Sequence, residues 1–240
     1  MDNSVVILIP ARLNSSRFPR KILYPVNGKP MILHILEAAK NLGICECYVA
    51  CCCEETKQLI ESNGGKAILT DPELPSGTDR VFAAISSLPQ RPSFVINLQG
   101  DTIVFGPSII PAIIKVLKEN EDVDMTTPVV LCDNESDEAN NHNIVKVVFN
   151  GMDTGTPGKA LYFSRNLIPH GSNTFYSHIG IYAYRLPAIE RFVSLKPSYL
   201  EVTERLEQLR AMQNGMNIWA VPVKENAISI DVMDDLKAVL

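Results

Sequence analysis

Short apolar runs alternate with segments of helical period along the first 130 residues of this chain. Val5-Val6-Ile7-Leu8-Ile9 is apolar without a break, which predicts a strand covered on both faces. A polar loop follows. Pro30 then opens a helix at a position where its missing N–H costs nothing; Ile32, Leu33, Ile35, Leu36 and Ala39 make the apolar stripe and Gly43 the stop. Further strands are expected at 48–51, 66–69, 94–98 and 125–131, and further helices at 54–62, 79–87 and 107–118. Strands joined by helices imply right-handed crossovers and a mostly parallel sheet, whose ligands sit at the carboxyl ends of the strands.

The rhythm changes near residue 140. Segments 144–149, 160–163 and 177–184 read as strands with no helix between them, an antiparallel excursion spanning about 140–185. Helices are expected again at 187–195 and 200–214, then a strand at 218–221 and a last helix from Val232. No repeat, low-complexity tract or linker divides the chain, so residues 1–240 read as one α/β domain.

Composition narrows the function. With 46% hydrophobic and 20% charged residues, the chain can bury a sizeable core and is not a disordered polymer. A net charge of -5 disfavours nucleic acid as a partner but leaves room for a local cationic pocket that takes a small anion. No run of about 18 apolar residues exists to enter a membrane. The run 5–9 is too short for a signal sequence and Asp2 stands where a cation belongs, so a cytoplasmic location is expected. Five of the six cysteines (Cys45, Cys47, Cys51, Cys52 and Cys53) lie within nine positions. A zinc site needs a second ligand pair on another loop, so reduced thiols on a strand are expected instead.

Three strand ends carry candidate chemistry. After the first strand, residues 10–21 bring Arg12, Arg17, Arg20 and Lys21 together with Asn14, Ser15 and Ser16. Backbone amides and cations of this kind suit a triphosphate, although a solvated basic loop has the same composition. Asn97-Leu98-Gln99-Gly100-Asp101 ends a strand in a carboxylate, either a magnesium ligand or a turn-forming Asp. Ser229-Ile230-Asp231 repeats the arrangement, with Asp231 a second ligand or a helix cap. Two carboxylates and one cationic loop at the ends of one parallel sheet point to metal-assisted chemistry on a nucleotide phosphate.

In order along the chain, Ile9-Pro10-Ala11-Arg12, Ser16-Arg17-Phe18-Pro19-Arg20-Lys21, Asn27-Gly28-Lys29-Pro30, Ser76-Gly77-Thr78-Asp79-Arg80 and Leu98-Gln99-Gly100-Asp101 are followed by Val145-Lys146-Val147-Val148, Ala160-Leu161-Tyr162-Phe163-Ser164-Arg165, His178-Ile179-Gly180-Ile181-Tyr182 and Leu206-Glu207-Gln208-Leu209-Arg210. This set resembles the 3-deoxy-manno-octulosonate (Kdo) cytidylyltransferase, or CMP-Kdo synthetase, family over nearly the whole chain. The resemblance implies a nucleotide-diphospho-sugar transferase-like three-layer α/β sandwich whose antiparallel region helps form a homodimer. It implies a Mg2+-dependent transfer of CMP from CTP to an acidic eight-carbon sugar, in the service of lipopolysaccharide biosynthesis. Arg12, Arg17 and Lys21 are expected on the CTP phosphates, with Ser76, Gly77 and Arg80 near cytosine and ribose. Gln99 is expected in the CTP and sugar sites, and Arg165, His178, Tyr182, Glu207 and Gln208 around the sugar. Asp101 and Asp231 are expected on the metal; Arg12, Lys21, Asp101 and Asp231 form the expected catalytic set.

The chain departs from that pattern at Arg20 and Ile22, where the family has Gly and Pro, and at Thr102-Ile103, where it has Glu-Pro. Cys51-Cys52 stand in place of Thr-Asp, and the segment between Arg165 and His178 is short. These departures keep three other readings open: an 8-amino-Kdo substrate, another acidic sugar such as a nonulosonate, and a non-catalytic sugar- or nucleotide-binding regulator.

Overall fold

The structure, a computed structural model, describes residues 2–13, 18–230 and 233. Its strands are β1 (Val5–Ala11), β2 (Pro25–Val26), β3 (Lys29–Pro30), β4 (Glu46–Cys51), β5 (Ala67–Leu69), β6 (Phe94–Leu98), β7 (Thr102–Phe105), β8 (Met125–Asp133), β9 (Lys146–Phe149), β10 (Gly158–Ser164), β11 (Thr174–His178), β12 (Ile181–Arg185), β13 (Ile218–Pro222) and β14 (Ala227–Ser229). Its helices are α1 (Met31–Asn41), α2 (Glu54–Ser62), α3 (Gly77–Ile85), α4 (Ile109–Glu119), α5 (Leu186–Ser194), α6 (Tyr199–Glu204) and α7 (Gln208–Gln213). The chain forms two compact units, one from residues up to Gly106 and from Ala227 onward, the other from Pro107 to Asn226.

In the first unit the strand order β6-β1-β4-β5 is parallel throughout. Every residue of β1 is buried, as its unbroken apolar run predicts, and helices α1 and α3 pack against it. On α1 the expected stripe Ile32, Leu33, Ile35, Leu36 and Ala39 is buried. Because the strands run the same way, the loops after β1, β4 and β6 leave from one end of the sheet.

The carboxylate of Asp231 was expected at the end of a strand of this parallel sheet. The strand before it, β14, is present but pairs antiparallel with β7 in a separate two-stranded ribbon, and β7 itself was not expected. Thr102 and Ile103, read as loop, open β7. Both are buried, and burial of an apolar β-branched residue favours the ribbon over a solvated turn.

In the second unit the expected antiparallel excursion is present, and β11 pairs with both β9 and β8. The circuit β8-β13-β10-β9-β11 therefore closes on itself. Two continuous elements of the sequence reading are broken here. The strand expected at 177–184 is two, β11 and β12, separated at Ile179-Gly180, where Ile181 N donates back to Ile179 O at 2.7 Å. The helix expected at 200–214 is also two. Arg205 takes a left-handed conformation (φ 55°) at the end of α6, and helical periodicity carries no trace of one such residue. The helix expected from Val232 lies outside the described residues.

The cysteines are free thiols. Cys47 and Cys51 are buried on β4, where desolvation raises both thiols, Cys51 to about 11. Both are therefore protonated at neutral pH and inert. Among the described residues no group of three or more His, Cys, Asp or Glu side chains gathers to hold a metal.

Candidate active site

The end of β1 and the end of β6 meet without a side chain between them. A Cβ on Gly100 would lie 2.4 Å from the carbonyl oxygen of Pro10, so only glycine permits this approach. The residue that follows, Asp101, thus stands beside the strand that delivers Arg12, which is exposed one residue beyond β1. The backbone of Asp101 is fixed from a second direction, since Ile230 N donates to its carbonyl at 3.0 Å. This bond brings the backbone just before Asp231 to Asp101. Asp231 and Arg17 themselves lie outside the described residues.

Lys21 begins a single 3₁₀ turn, Lys21–Leu23, and its ammonium reaches Asp101 Oδ2 at 2.7 Å. The turn is entered through Arg20 in the left-handed region (φ 56°), a conformation that costs a non-glycine residue about 1–2 kcal/mol. The Arg20 guanidinium donates to Glu55 on α2 at 2.5 Å. That pair is exposed at both ends and offsets the strain by at most about 1 kcal/mol.

Ser76 caps α3: its hydroxyl accepts from Asp79 N at 3.1 Å and donates to Asp79 Oδ2 at 2.6 Å. The first helical residue, Gly77, lies against the strand ends, because a Cβ there would sit 3.4 Å from Pro10 Cγ and 3.6 Å from Gln99 Oε1. Gln99 Nε2 donates to Asn97 Oδ1 at 3.0 Å, and Asn97 Nδ2 donates to Thr78 Oγ1 at 3.2 Å. Ser76, Gly77 and Gln99 therefore line the same corner as Asp101. Arg80 does not present its charge there. It is buried, and its guanidinium donates to Thr70 Oγ1 and to the carbonyls of Asp71 and Pro72, so its work is to hold the 70–72 loop.

The donor set fits magnesium. A hard carboxylate oxygen at a rigid strand end is what the ion uses, and it already attracts a cation, the Lys21 ammonium. Asp101 is the described residue able to hold it.

Apart from Gln99, the residues expected around the sugar, Arg165, His178, Tyr182, Glu207 and Gln208, lie in the second unit. Glu204, at the end of α6, accepts from Tyr162 OH, Ser164 Oγ and the amide of Arg165, each at 3.3 Å. The Arg165 guanidinium donates to the carbonyls of Glu204, His142 and Arg205. Those bonds take three of its five N–H groups and leave one on each terminal nitrogen, the pattern an end-on carboxylate fork requires. The Arg165 carbonyl, with those of Asn141 and Ile144, accepts from the fully buried ammonium of Lys146. The motif readings attach no role to Glu204 or Lys146. Glu204 looks like any charge on a helix surface until its three partners are seen.

His178 Nε2 lies 2.8 Å from Thr127 Oγ1, whose own hydrogen goes to the carbonyls of Ile179 and Ile181. The network thus assigns the proton to Nε2 and leaves Nδ1 as an acceptor. The ring packs edge-on against Phe163 at 5.2 Å and tilts over Tyr182 at 5.4 Å. Tyr182 is buried, and its phenol is raised by desolvation, then by Tyr184 and Glu207. Gln208 is buried with Nε2 lacking a partner among the described residues.

Desolvation pushes His178 down to about 3, so the folded protein keeps it neutral while the unfolded chain protonates it below about pH 6.5. The stability it contributes is complete above that pH and is lost as pH falls toward 3, at up to about 1.4 kcal/mol per pH unit. Denaturant titrations from pH 7 to 4 should show a shallower decline in His178→Gln than in wild type. Parallel curves for the two proteins would contradict a neutral His178.

If Arg165 takes the sugar carboxylate, as the family resemblance implies, replacing it with Ala should raise KM for the sugar acid about thirtyfold and leave KM for CTP near its wild-type value, the cost of one charge-assisted fork being about 2 kcal/mol. An unchanged sugar KM would return Arg165 to a purely structural role.

A family profile described as Cytidylyltransferase matches residues 6–218. The 3-deoxy-manno-octulosonate cytidylyltransferase of Rickettsia felis is 43% identical over 235 residues, covering 97% of this chain and 92% of that protein. The enzyme of the same name from Rickettsia typhi is 43% identical over 238 residues, 98% of this chain and 95% of its own length. Among solved structures, CMP:2-keto-3-deoxy-manno-octonic acid synthetase complexed with CTP superposes with a TM-score of 0.88 at 35% identity, covering 99% of this chain and 97% of that one. UDP-glucose pyrophosphorylase complexed with UDP-glucose shares the fold at a TM-score of 0.67 and 13% identity, covering 98% and 96%.

Proposed function

This chain belongs to the 3-deoxy-manno-octulosonate cytidylyltransferase family, and on that premise we propose that Arg12, Lys21 and Asp101 serve CTP and magnesium and that Arg165 holds the sugar acid. The chain transfers CMP from CTP to Kdo, releasing pyrophosphate. The observation that carries the nucleotide half of this reading is the meeting of β1 and β6 at Pro10 and Gly100, which sets Asp101, with the Lys21 ammonium 2.7 Å from its Oδ2, beside the strand that ends one residue before Arg12.

In the reaction the anomeric hydroxyl of Kdo attacks the α-phosphorus of CTP. The new sugar C–O–P linkage forms, the bond from the α-phosphorus to the bridging oxygen breaks, and pyrophosphate carries the electron pair away as the hydroxyl proton is released. Arg12 and Lys21, with Arg17 by sequence, neutralise the triphosphate and the leaving pyrophosphate. The rigid corner at Gly100 keeps Asp101 in fixed register with the end of β1. Asp101, joined by Asp231, would hold magnesium, which when bound supplies charge neutralisation and alignment of the phosphate oxygens. Arg165 clamps the sugar carboxylate, and His178, Tyr182, Glu207 and Gln208 serve its hydroxyls. His178 does so as a neutral acceptor, since burial keeps it uncharged.

Activity in a dimer is proposed as well. It is supported by Leu131 on β8 and Leu161 on β10, apolar side chains more than half exposed on the antiparallel unit.

The test is mass spectrometry of the products formed from CTP, magnesium and either Kdo or its 8-amino analogue, with pyrophosphate release followed in parallel and the particle mass measured on the same preparation. CMP-Kdo, stoichiometric pyrophosphate and a particle of twice the chain mass are expected. The segment 170–174 contains no acid to pair with an ammonium at C8, so Kdo should be used at least as well as the amino sugar. A preference of about a hundredfold for the amino sugar, some 2.7 kcal/mol, would require an acid near C8 and overturn the Kdo assignment. No product from either sugar would favour the binding-regulator reading.

A further inference from the structure

Lys21 carries two demands that cannot be met at once. As a phosphate ligand its ammonium must face the triphosphate, yet in this structure it lies 2.7 Å from Asp101 Oδ2, on the carboxylate assigned to the metal. The pair is sheltered, with the lysine side chain 10% and the aspartate side chain 27% exposed, so salt and water screen it less than a surface pair.

The backbone on each side is held. Around Lys21, Tyr24 N donates to Lys21 O at 3.0 Å, Leu23 N donates to Arg20 O at 2.9 Å, and Phe18 packs on Tyr24 at 5.2 Å. Around Asp101, Thr102 N donates to Gln99 O at 3.2 Å, Ile230 N donates to Asp101 O, and Gly100 abuts Pro10. What can move is the flexible four-carbon stem of the lysine, which lets its point charge change partners without refolding the loop.

We infer that Lys21 is the resting counter-ion of Asp101, so that the protein alone binds a divalent cation weakly and gains a strong site when a nucleoside triphosphate draws the ammonium away. This rests on Asp101 as the metal carboxylate. An ammonium and a divalent cation at the same carboxylate repel each other, whereas a triphosphate offers oxygens to both and separates them. The arrangement makes nucleotide and metal enter together. It also keeps a partly buried carboxylate paired while the site waits, avoiding the cost of an isolated buried charge.

The test is Mn2+ alone titrated into nucleotide-free protein, with free Mn2+ read by electron paramagnetic resonance. Five proteins are compared: wild type, Lys21→Met, Lys21→Arg, Asp101→Asn and the double variant Lys21→Met with Asp101→Asn. Lys21→Met should bind Mn2+ about tenfold or more tighter than wild type, the lower end of what one neighbouring charge does to a carboxylate. Lys21→Arg keeps the charge and should remain as weak as wild type, which separates electrostatics from any change in packing. The double variant Lys21→Met with Asp101→Asn should lose the gain. Equal affinities for wild type and Lys21→Met, with Asp101→Asn weakening Mn2+ binding in both backgrounds, would overturn the counter-ion role and leave the metal assignment standing. Affinities indifferent to Asp101→Asn in every background would overturn both.

Discussion

Asp101→Asn should lower kcat by roughly a thousandfold or more, about 4 kcal/mol of transition-state stabilisation, and added magnesium should not restore it. The substitution keeps the size of the side chain and one acceptor oxygen, turns the other into an NH2 donor, and removes the charge. The fold should survive, because the new amide oxygen can still accept from the Lys21 ammonium, whose flexible stem can also turn its charge toward solvent. Steady-state rates over a magnesium series, with thermal melting on the same samples, check both halves. Near-normal turnover at saturating magnesium would remove Asp101 from the reaction.

Gly100→Ala acts on the same corner through packing. Its new Cβ would meet Pro10 O at 2.4 Å, and because the obstacle is backbone on a central strand, no rotamer change relieves it. Either the end of β1 or the turn into β7 must move. A stability loss of about 3 kcal/mol is expected, the upper part of the range for overpacking, which in a chain of this size lowers Tm by roughly 6–12 °C. Displacing Asp101 from the end of β1 by even about 1 Å should cost a further hundredfold in kcat/KM. Gly77→Ala serves as contrast. Its Cβ would meet only side-chain atoms at 3.4 Å and beyond, so Tm should hold or rise with the gain in helix propensity. A Gly100→Ala protein that melts with wild type would show that the corner yields more easily than close packing allows.

Part of this molecule is written in its residue order. The central strand β1 and the helix α1 follow from unbroken and periodic apolar runs, because burial of a face is a local property that composition at fixed spacing reports. The antiparallel region was legible for the same reason, as strands with no helix between them. The candidate site was legible as motifs, and family membership follows from their shared order. Partners across long sequence separation were not legible. The ribbon that pairs β14 with β7 joins residues more than a hundred positions apart, and nothing near Ser229 marks it as leaving the parallel sheet. Arg80 reads as a ligand in its motif, but the fold turns its guanidinium onto the 70–72 loop. Glu204 reads as surface charge, and only the packing of the end of α6 brings it to Tyr162, Ser164 and Arg165. The sequence by itself determined which segments are strands or helices, which residues can carry phosphate and metal chemistry, and the family they belong to. The tertiary structure alone decided which charges face each other, because a hydrogen bond or ion pair is set by a few ångströms of separation that no spacing along the chain encodes.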